Sequence, residues 1–313
     1  MICGGIDIGG TKIEARLFSN DLATVEMRRI PTPKERLADF IDALAEQVRW
    51  LEQLSDQGQA LPVGMAIPGL VDVHTGRAFT SNLPASGYDI ATILEERIGR
   101  RLPLMNDCQA FALSEANGGA GEGFKTVVGL IMGTGVGAGL TCDGRLTPRL
   151  NGSALEIGHI GIPAHISVAH GLPSWDCGCG KRGCFERYVS GTGLAALGGH
   201  RLGRPVTAEE IVASAQAGDK QQQEVMSLWA EIASELLLII QLTHDPDCIV
   251  LGGGLSSIPD VVSLLEKPFQ SIKLGEMRMP AIRSAIHGDS SGARGAAIMA
   301  SRNQSNPSGA PFS

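Results

Sequence analysis

A chain of 313 residues that is 43% hydrophobic and 19% charged can bury a sizeable core and divides more naturally into two domains than one. Its net charge of −7, with basic residues in no run longer than a pair such as Arg28-Arg29 or Arg100-Arg101, excludes the electrostatic footprint of a nucleic-acid binder. No apolar run reaches the roughly 18–20 residues of a membrane span, and the longest candidate, LLLIIQL at 236–242, is too short, so the expected setting is cytoplasmic, without membrane or nucleic acid.

From Ile2 to Phe18 an apolar run, a glycine turn and a second run (ICGGIDI, GGTK, IEARLF) predict a β-hairpin. Residues 34–57 place Leu37, Phe40, Ile41, Leu44, Val48 and Leu51 at helical spacing, and PVGMAIPGLV at 62–71 follows as a buried strand. Ile90–Arg101 reads as a second amphipathic helix, and PLMNDCQAF from 103 as a short strand that delivers Asn106 and Asp107 to the start of a third helix. The opening scheme then repeats: TVVGLIM (126–132), a glycine turn GTGVGAG (133–139) and a strand LTCDGRL. Two such units about 125 residues apart point to an internal duplication. A helix from Asp219 to His244 leads into DCIVLGGGLSS (247–257), a strand that ends in Gly252-Gly253-Gly254.

Glycines 9, 10, 133, 135, 137, 139, 253 and 254 all follow apolar strands, where backbone N–H groups can approach phosphate oxygens. GTGVGA at 133–138 matches a variant of the dinucleotide fingerprint, but that fingerprint must open a helix and here a strand follows. A phosphate-holding hairpin fits better. In DIGGTK, Asp7 suits a hydrated Mg²⁺, with Gly9, Gly10, Thr11 and Lys12 toward phosphate oxygens.

CGCGKRGC holds Cys177, Cys179 and Cys184 as C-x-C-x4-C, close enough for three thiolates to share one Zn²⁺, which needs a fourth ligand. A redox pair would favour C-x-x-C, which is absent. His159, His165 and His170 are the upstream candidates. The other four cysteines (Cys3, Cys108, Cys142, Cys248) are scattered singly, so no disulfide framework is expected.

Taken together, DIGGTK (7–12), GTGVGAG (133–139), EIGH (156–159), CGCGKRGC (177–184) and IVLGGGLS (249–256) resemble, in order and over about residues 2–300, the ROK family of sugar kinases and sugar-responsive repressors. The resemblance implies an α/β, actin-like ATPase (ribonuclease H-like) fold of two domains, with ATP and sugar in the cleft between them. The expected boundaries are 1–118, joined by a C-terminal helix at about 291–303, then 119–290 with the zinc loop, and a disordered tail at 304–313. ATP with Mg²⁺ is the implied phosphoryl donor, gripped by the two hairpins, Thr134 included, with the triple glycine near the adenosine.

Phosphoryl transfer to a hydroxyl needs a carboxylate to orient it and accept its proton. Asp107 is the candidate, although an Asp at a helix start is often simply a cap. The family pattern assigns Asn106 to the sugar, adds Glu156, His159 and Glu186 as sugar contacts, and selects His159 as the fourth ligand of a structural Zn²⁺; Asn82 in SNLPASG is a further sugar candidate. The eighteen positions from His159 to Cys177 leave His165 and His170 open as ligands. That long interval, NLPASG (82–87) and HGDSSGARGAA (287–297) are similar to the family's bacterial N-acetylglucosamine kinases. They imply N-acetyl-D-glucosamine as substrate, phosphorylated at its 6-hydroxyl, with glucose, N-acetylmannosamine and fructose as alternatives. A repressor is disfavoured, because its helix-turn-helix domain would precede the first glycine turn. The resemblance also implies a homodimer.

Overall fold

The computed structural model describes residues 2–55 and 61–305, so Asp56 and Gln57 of the first expected helix, and positions 306–313 of the expected tail, lie outside the described residues. The described residues form two compact units: one holds those up to Glu122, Gly139–Ala154 and those from His287 to Ser305; the other holds Gly123–Ala138 and Leu155–Ile286.

The first unit begins with β1 (Cys3–Ile8), β2 (Lys12–Phe18) and β3 (Thr24–Pro31), continues through α1 (Leu37–Gln53), β4 (Val63–Ile67) and the short β5 (Leu70–Val71) and β6 (Ala78–Phe79), and reaches α2 (Ile90–Ile98), β7 (Leu104–Asn106) and α3 (Asp107–Glu115). Then come β8 (Thr126–Met132), β9 (Val136–Cys142), β10 (Arg145–Leu146), α4 (Ala164–His170), α5 (Glu186–Val189), α6 (Gly191–Leu202), α7 (Ala208–Gln216), α8 (Lys220–His244), β11 (Cys248–Gly252), α9 (Val261–Ile272), β12 (Ala281–Ser284) and α10 (Ser291–Ser305). The sheets have orders β3-β2-β1-β4-β7 and β10-β9-β8-β11-β12. The same order recurs, a duplication of architecture that the paired glycine hairpins announce. In the first sheet β1 pairs antiparallel with β2 and parallel with β4, which pairs parallel with β7; in the second, β11 lies parallel to both β8 and β12. Parallel pairing sends the carboxyl ends of these strands to one edge, where ligands collect in open α/β sheets.

The period of α1 buries Phe40, Ile41, Leu44, Val48 and Leu51 against Ile6, Ile8, Ile13 and Met65, each worth about 1.5–3 kcal/mol when removed from water. Helix α10 packs with α3, β1 and β4, so closely that a Cβ on Gly5 would meet the Ala293 carbonyl oxygen at 1.8 Å. Only glycine fits there.

Two expectations change, the end of α2 and the place of the segment 139–154. Helix α2 stops at Ile98, because Gly99 takes the left-handed conformation (φ 77) and caps it. Helix α10 starts at Ser291 as expected and runs to Ser305, and Arg302 donates to Gly144 O and Asn117 Oδ1 at 2.7 and 2.6 Å. The segment 139–154 belongs with the first unit, not the second, since Gly139 lies against the α3 backbone and Gln109 Nε2 donates to Gly152 O at 3.0 Å. Helix α8 is the one described helix long and apolar enough to cross a membrane, but 72% of that stretch is buried within the protein, which marks it as a core helix.

Candidate active site and metal centre

In the first unit, β1, β4 and β7 bring their carboxyl ends together, with Asp7 paired to Ala66 and Ile67 to Asn106 across the sheet. The turn Gly9–Thr11 closes the β1–β2 hairpin. Gly9 N–H donates to Lys12 O at 2.8 Å and is committed inside the turn, so the amides of Gly10 and Thr11 are the ones that can meet phosphate. Thr32 fixes the hairpin by donating from Oγ1 to Gly9 O at 2.7 Å. Lys12 stands 3.7 Å from Asp289 and 4.0 Å from Glu14, and Asn82 packs beside Gly10.

Asn106, not Asp107, caps α3. Its Oδ1 accepts from the N–H groups of Cys108 and Gln109 at 2.8 and 3.2 Å, the Gln109 side chain returns a bond to complete a capping box, and Nδ2 donates to Gly69 O at 2.7 Å. The same amide also donates to the Asp107 carboxylate, so Asn106 ties the cap to the candidate base. Asp107, as the first helical residue, is relieved of the capping task; it accepts from the Cys108 N–H at 2.9 Å and also from the Cys108 and Asn106 side chains. Burial raises its carboxyl above the ordinary aspartate value.

Asp7 is perturbed further. Burial, then the negative charges of Asp107 and Glu14, push its carboxyl up to about 7. Gly292 of α10 gives it room, since a Cβ there would stand 2.6 Å from Asp7 Cγ. Crowded, desolvated carboxylates of this kind suit a hard divalent cation, which makes Asp7 a candidate to hold Mg²⁺. A folded-state pKa of about 7 against an ordinary 3.8 means the folded state binds the extra proton between those limits, so Asp7 makes the metal-free protein more stable as pH falls from 8 toward 5. In scanning fluorimetry without metal, wild type should gain on Asp7→Asn over that window. Parallel Tm curves for the two would refute it.

The second unit carries the metal centre. One ligand atom each from His159, Cys177, Cys179 and Cys184 lies within 4.8 Å of all the others. Ligands of a tetrahedral Zn²⁺ at about 2.0–2.3 Å stand roughly 3.5–3.8 Å apart. Here Cys179 Sγ is 3.6 Å from Cys184 Sγ, and Cys177 Sγ 3.6 Å from His159 Nδ1. The residues fit zinc. His165 and His170 do not join them, as each faces a glutamate on α8 at 3.0 Å. The other nitrogen of His159, Nε2, lies 3.8 Å from Glu156 Oε2, the outer contact that orients a metal-bound imidazole. Glu186 ties this centre to the second glycine turn: its Oε2 accepts from Val136 N–H at 3.1 Å, and its Oε1 lies 3.7 Å from Cys177 Sγ.

That turn is shorter than the motif suggests. It comprises Gly133–Gly135, closed by a bond from Gly133 N–H to Gly135 O at 2.9 Å. Gly137 and Gly139 are residues of β9, outside the turn, and Gly137 does not line the adjoining cavity. The cavity, of about 790 Å³, lies at the carboxyl ends of β8 and β11 and is walled by Gly133, Thr134, Gly254, Leu255, Thr192 and Val212. Gly253 does not line it either; with φ 80 it lets the chain turn against Met132 and Gly133, where a Cβ would meet backbone at 2.6 Å. Sequence reasoning missed the walls from α6 and α7, including Thr192, Ala195, Thr207 and Val212. The local signals are two helix caps: Thr207 caps α7 by accepting from Glu210 N–H at 3.1 Å, and Ser190 caps α6 by accepting from Gly193 N–H at 3.0 Å, so that Gly191 N–H reaches Gly133 O at 2.8 Å.

The model of the ROK family matches residues 3–303. An N-acetylgalactosamine kinase from Shewanella sp. (strain ANA-3) is 37% identical over 94% of this chain and 95% of its own length; an N-acetyl-D-glucosamine kinase from Pectobacterium atrosepticum is 36% identical over 94% and 97%. Among solved structures, a ROK hexokinase from Thermus thermophilus superposes with a TM-score of 0.86 at 31% identity, covering 98% of this chain and all of that one. A ROK family glucokinase from Streptomyces griseus, in complex with glucose and AMPPNP, gives 0.79 at 26% identity, covering 96% and 100%. With its repeated α/β sheets, paired glycine hairpins and His-Cys3 cluster, and with near end-to-end relatives, this chain belongs to the ROK family and has its actin-like ATPase fold.

Proposed function

We propose that the chain is an ATP-dependent sugar kinase that transfers the γ-phosphoryl group to the 6-hydroxyl of N-acetyl-D-glucosamine. The observation that carries the reading is Asp107: a carboxylate at a strand-to-helix junction, freed from capping by Asn106 and made more basic by burial. Asp107 accepts the hydroxyl proton as the oxygen–phosphorus bond forms and the bond to ADP breaks. The amides of Gly10 and Thr11, the Lys12 ammonium and the turn at Gly133–Gly135 bind phosphate oxygens, while the cavity at Gly254 takes the nucleoside. Mg²⁺ held at Asp7 through water would neutralise charge on the transferred phosphoryl group. Asn82, Asn106, Glu156, His159 and Glu186 contact the sugar, and zinc on His159 and the three cysteines fixes the orientation of that histidine.

Relatives named for N-acetylglucosamine and N-acetylgalactosamine stand at almost equal identity, which favours N-acetylgalactosamine as the second reading. The two sugars are epimers, so one hydroxyl separates them. An ATP consumer of this kind works in the cytoplasm, as a homodimer by family resemblance. A coupled ADP-release assay should give N-acetylglucosamine a kcat/KM at least about tenfold above N-acetylgalactosamine, N-acetylmannosamine, glucose, mannose and fructose, the size of a pocket difference near 1.4 kcal/mol. A lead for N-acetylgalactosamine moves the substrate assignment, and no turnover with any sugar removes the kinase reading.

A further inference from the structure

Cys177 lies eighteen positions after His159, and the residues between them contain α4, a helix of seven residues that has no side-chain cap and buries one residue, Ile166. A helix so short is not stable by itself, so its place depends on what holds it. Two polar pairs do. His165 Nε2 meets Glu235 Oε1 at 3.0 Å, and His170 Nε2 meets Glu231 Oε2 at 3.0 Å. Glu231 and Glu235 are one turn apart on α8, the core helix, and Glu235 is itself buried. Arg201 of α6 adds a bond to the His170 carbonyl at 3.1 Å. Beyond α4, Tyr188 of α5 donates to Pro173 O at 2.7 Å and stacks on Trp175 with ring centroids 4.9 Å apart.

We infer that His165 and His170 are positioning residues: they clamp the two ends of α4 to α8 and so hold the middle of the segment that joins the zinc ligand His159 to Cys177. The inference rests on His159 as the histidine ligand. The backbone of α8 at 231 and 235 is held in the core, with Glu235 itself buried and Glu231 partly exposed, and an imidazole on each carboxylate ties to that helix a surface segment that has little apolar burial of its own. The clamp therefore governs how tightly zinc is kept and how well His159 is aimed, without touching either metal or sugar.

The test is zinc release from the full-length holoprotein to a chromogenic chelator, read without any sugar or ATP. His165→Ala/His170→Ala should contain one zinc per chain as purified yet release it about tenfold faster than wild type, the lower end of what outer contacts contribute to metal affinity. Its KM for the sugar should rise several-fold with kcat within about twofold, and KM for ATP should not move, since the clamp adjusts a binding contact only. His165→Gln/His170→Gln, whose amides can still donate to both carboxylates, should recover most of the wild-type release rate. If the double alanine variant does not fold, His170→Ala alone is read in the same way, its partner Glu231 being partly exposed. Wild-type release in the alanine variant would overturn the clamp. So would zinc missing from that variant but retained in His159→Ala, because the two histidines would then be ligands. Failure of the kinase reading leaves the release measurement unaffected.

Discussion

Asp107→Asn is expected to lower kcat by roughly a hundredfold or more, the size typical of removing a positioned general base, while KM for the sugar changes little. The amide keeps the shape of the side chain and can still accept from the Cys108 N–H, and the α3 cap is built on Asn106, so the fold should survive. Steady-state kinetics, with unchanged thermal unfolding as the control, gives the answer. Turnover within about threefold of wild type would remove Asp107 from proton transfer, because a base catalyst that can be deleted at that cost is not one. The same residue sets a pH signature. Burial raises the Asp107 carboxyl, and the group must be ionised to act, so kcat should fall on the acid side at a pH above the ordinary aspartate range. Asp107→Asn should flatten that limb.

Loss of zinc should be the largest structural effect. Cys184 is almost fully buried, with its sulfur 3.6 Å from Cys179 Sγ and from the His159 carbonyl oxygen. Burial pushes its thiol up to about 12 and raises Cys177 as well, so zinc loading must displace protons and weakens as pH falls. Cys184→Ser should contain less than about a tenth of the wild-type zinc and unfold at least about 10 °C lower, because structural zinc supplies several kcal/mol of folding free energy. His159→Ala should lose zinc less completely, since three thiolates remain. Elemental analysis beside calorimetry tests both. Full zinc content in Cys184→Ser would dismantle the four-ligand site.

Much of the site is legible in short stretches of sequence because its parts are local. A glycine turn after an apolar strand, Asn-Asp between a strand and a helix, and three cysteines within eight positions each act over a handful of bonds, where conformational preference and ligand reach are fixed by the residues themselves. The repeated hairpin likewise announces two sheets of one order, and the helical spacing of α1 names its buried face.

Other features depend on residues far apart in the chain, and the tertiary structure alone decides them. His159, His165 and His170 are chemically equal as ligands; α4 turns the latter two onto α8, so only His159 reaches the cysteines. Glu186 connects Val136 to Cys177, and Ala195, Thr207 and Val212 wall the cavity, although no spacing in the sequence links these positions. Local backbone preference determined which elements form and where their ends present chemistry. Packing of the helices on the two sheets determined which of those ends meet, because proximity across tens of residues comes from burial of shared apolar faces.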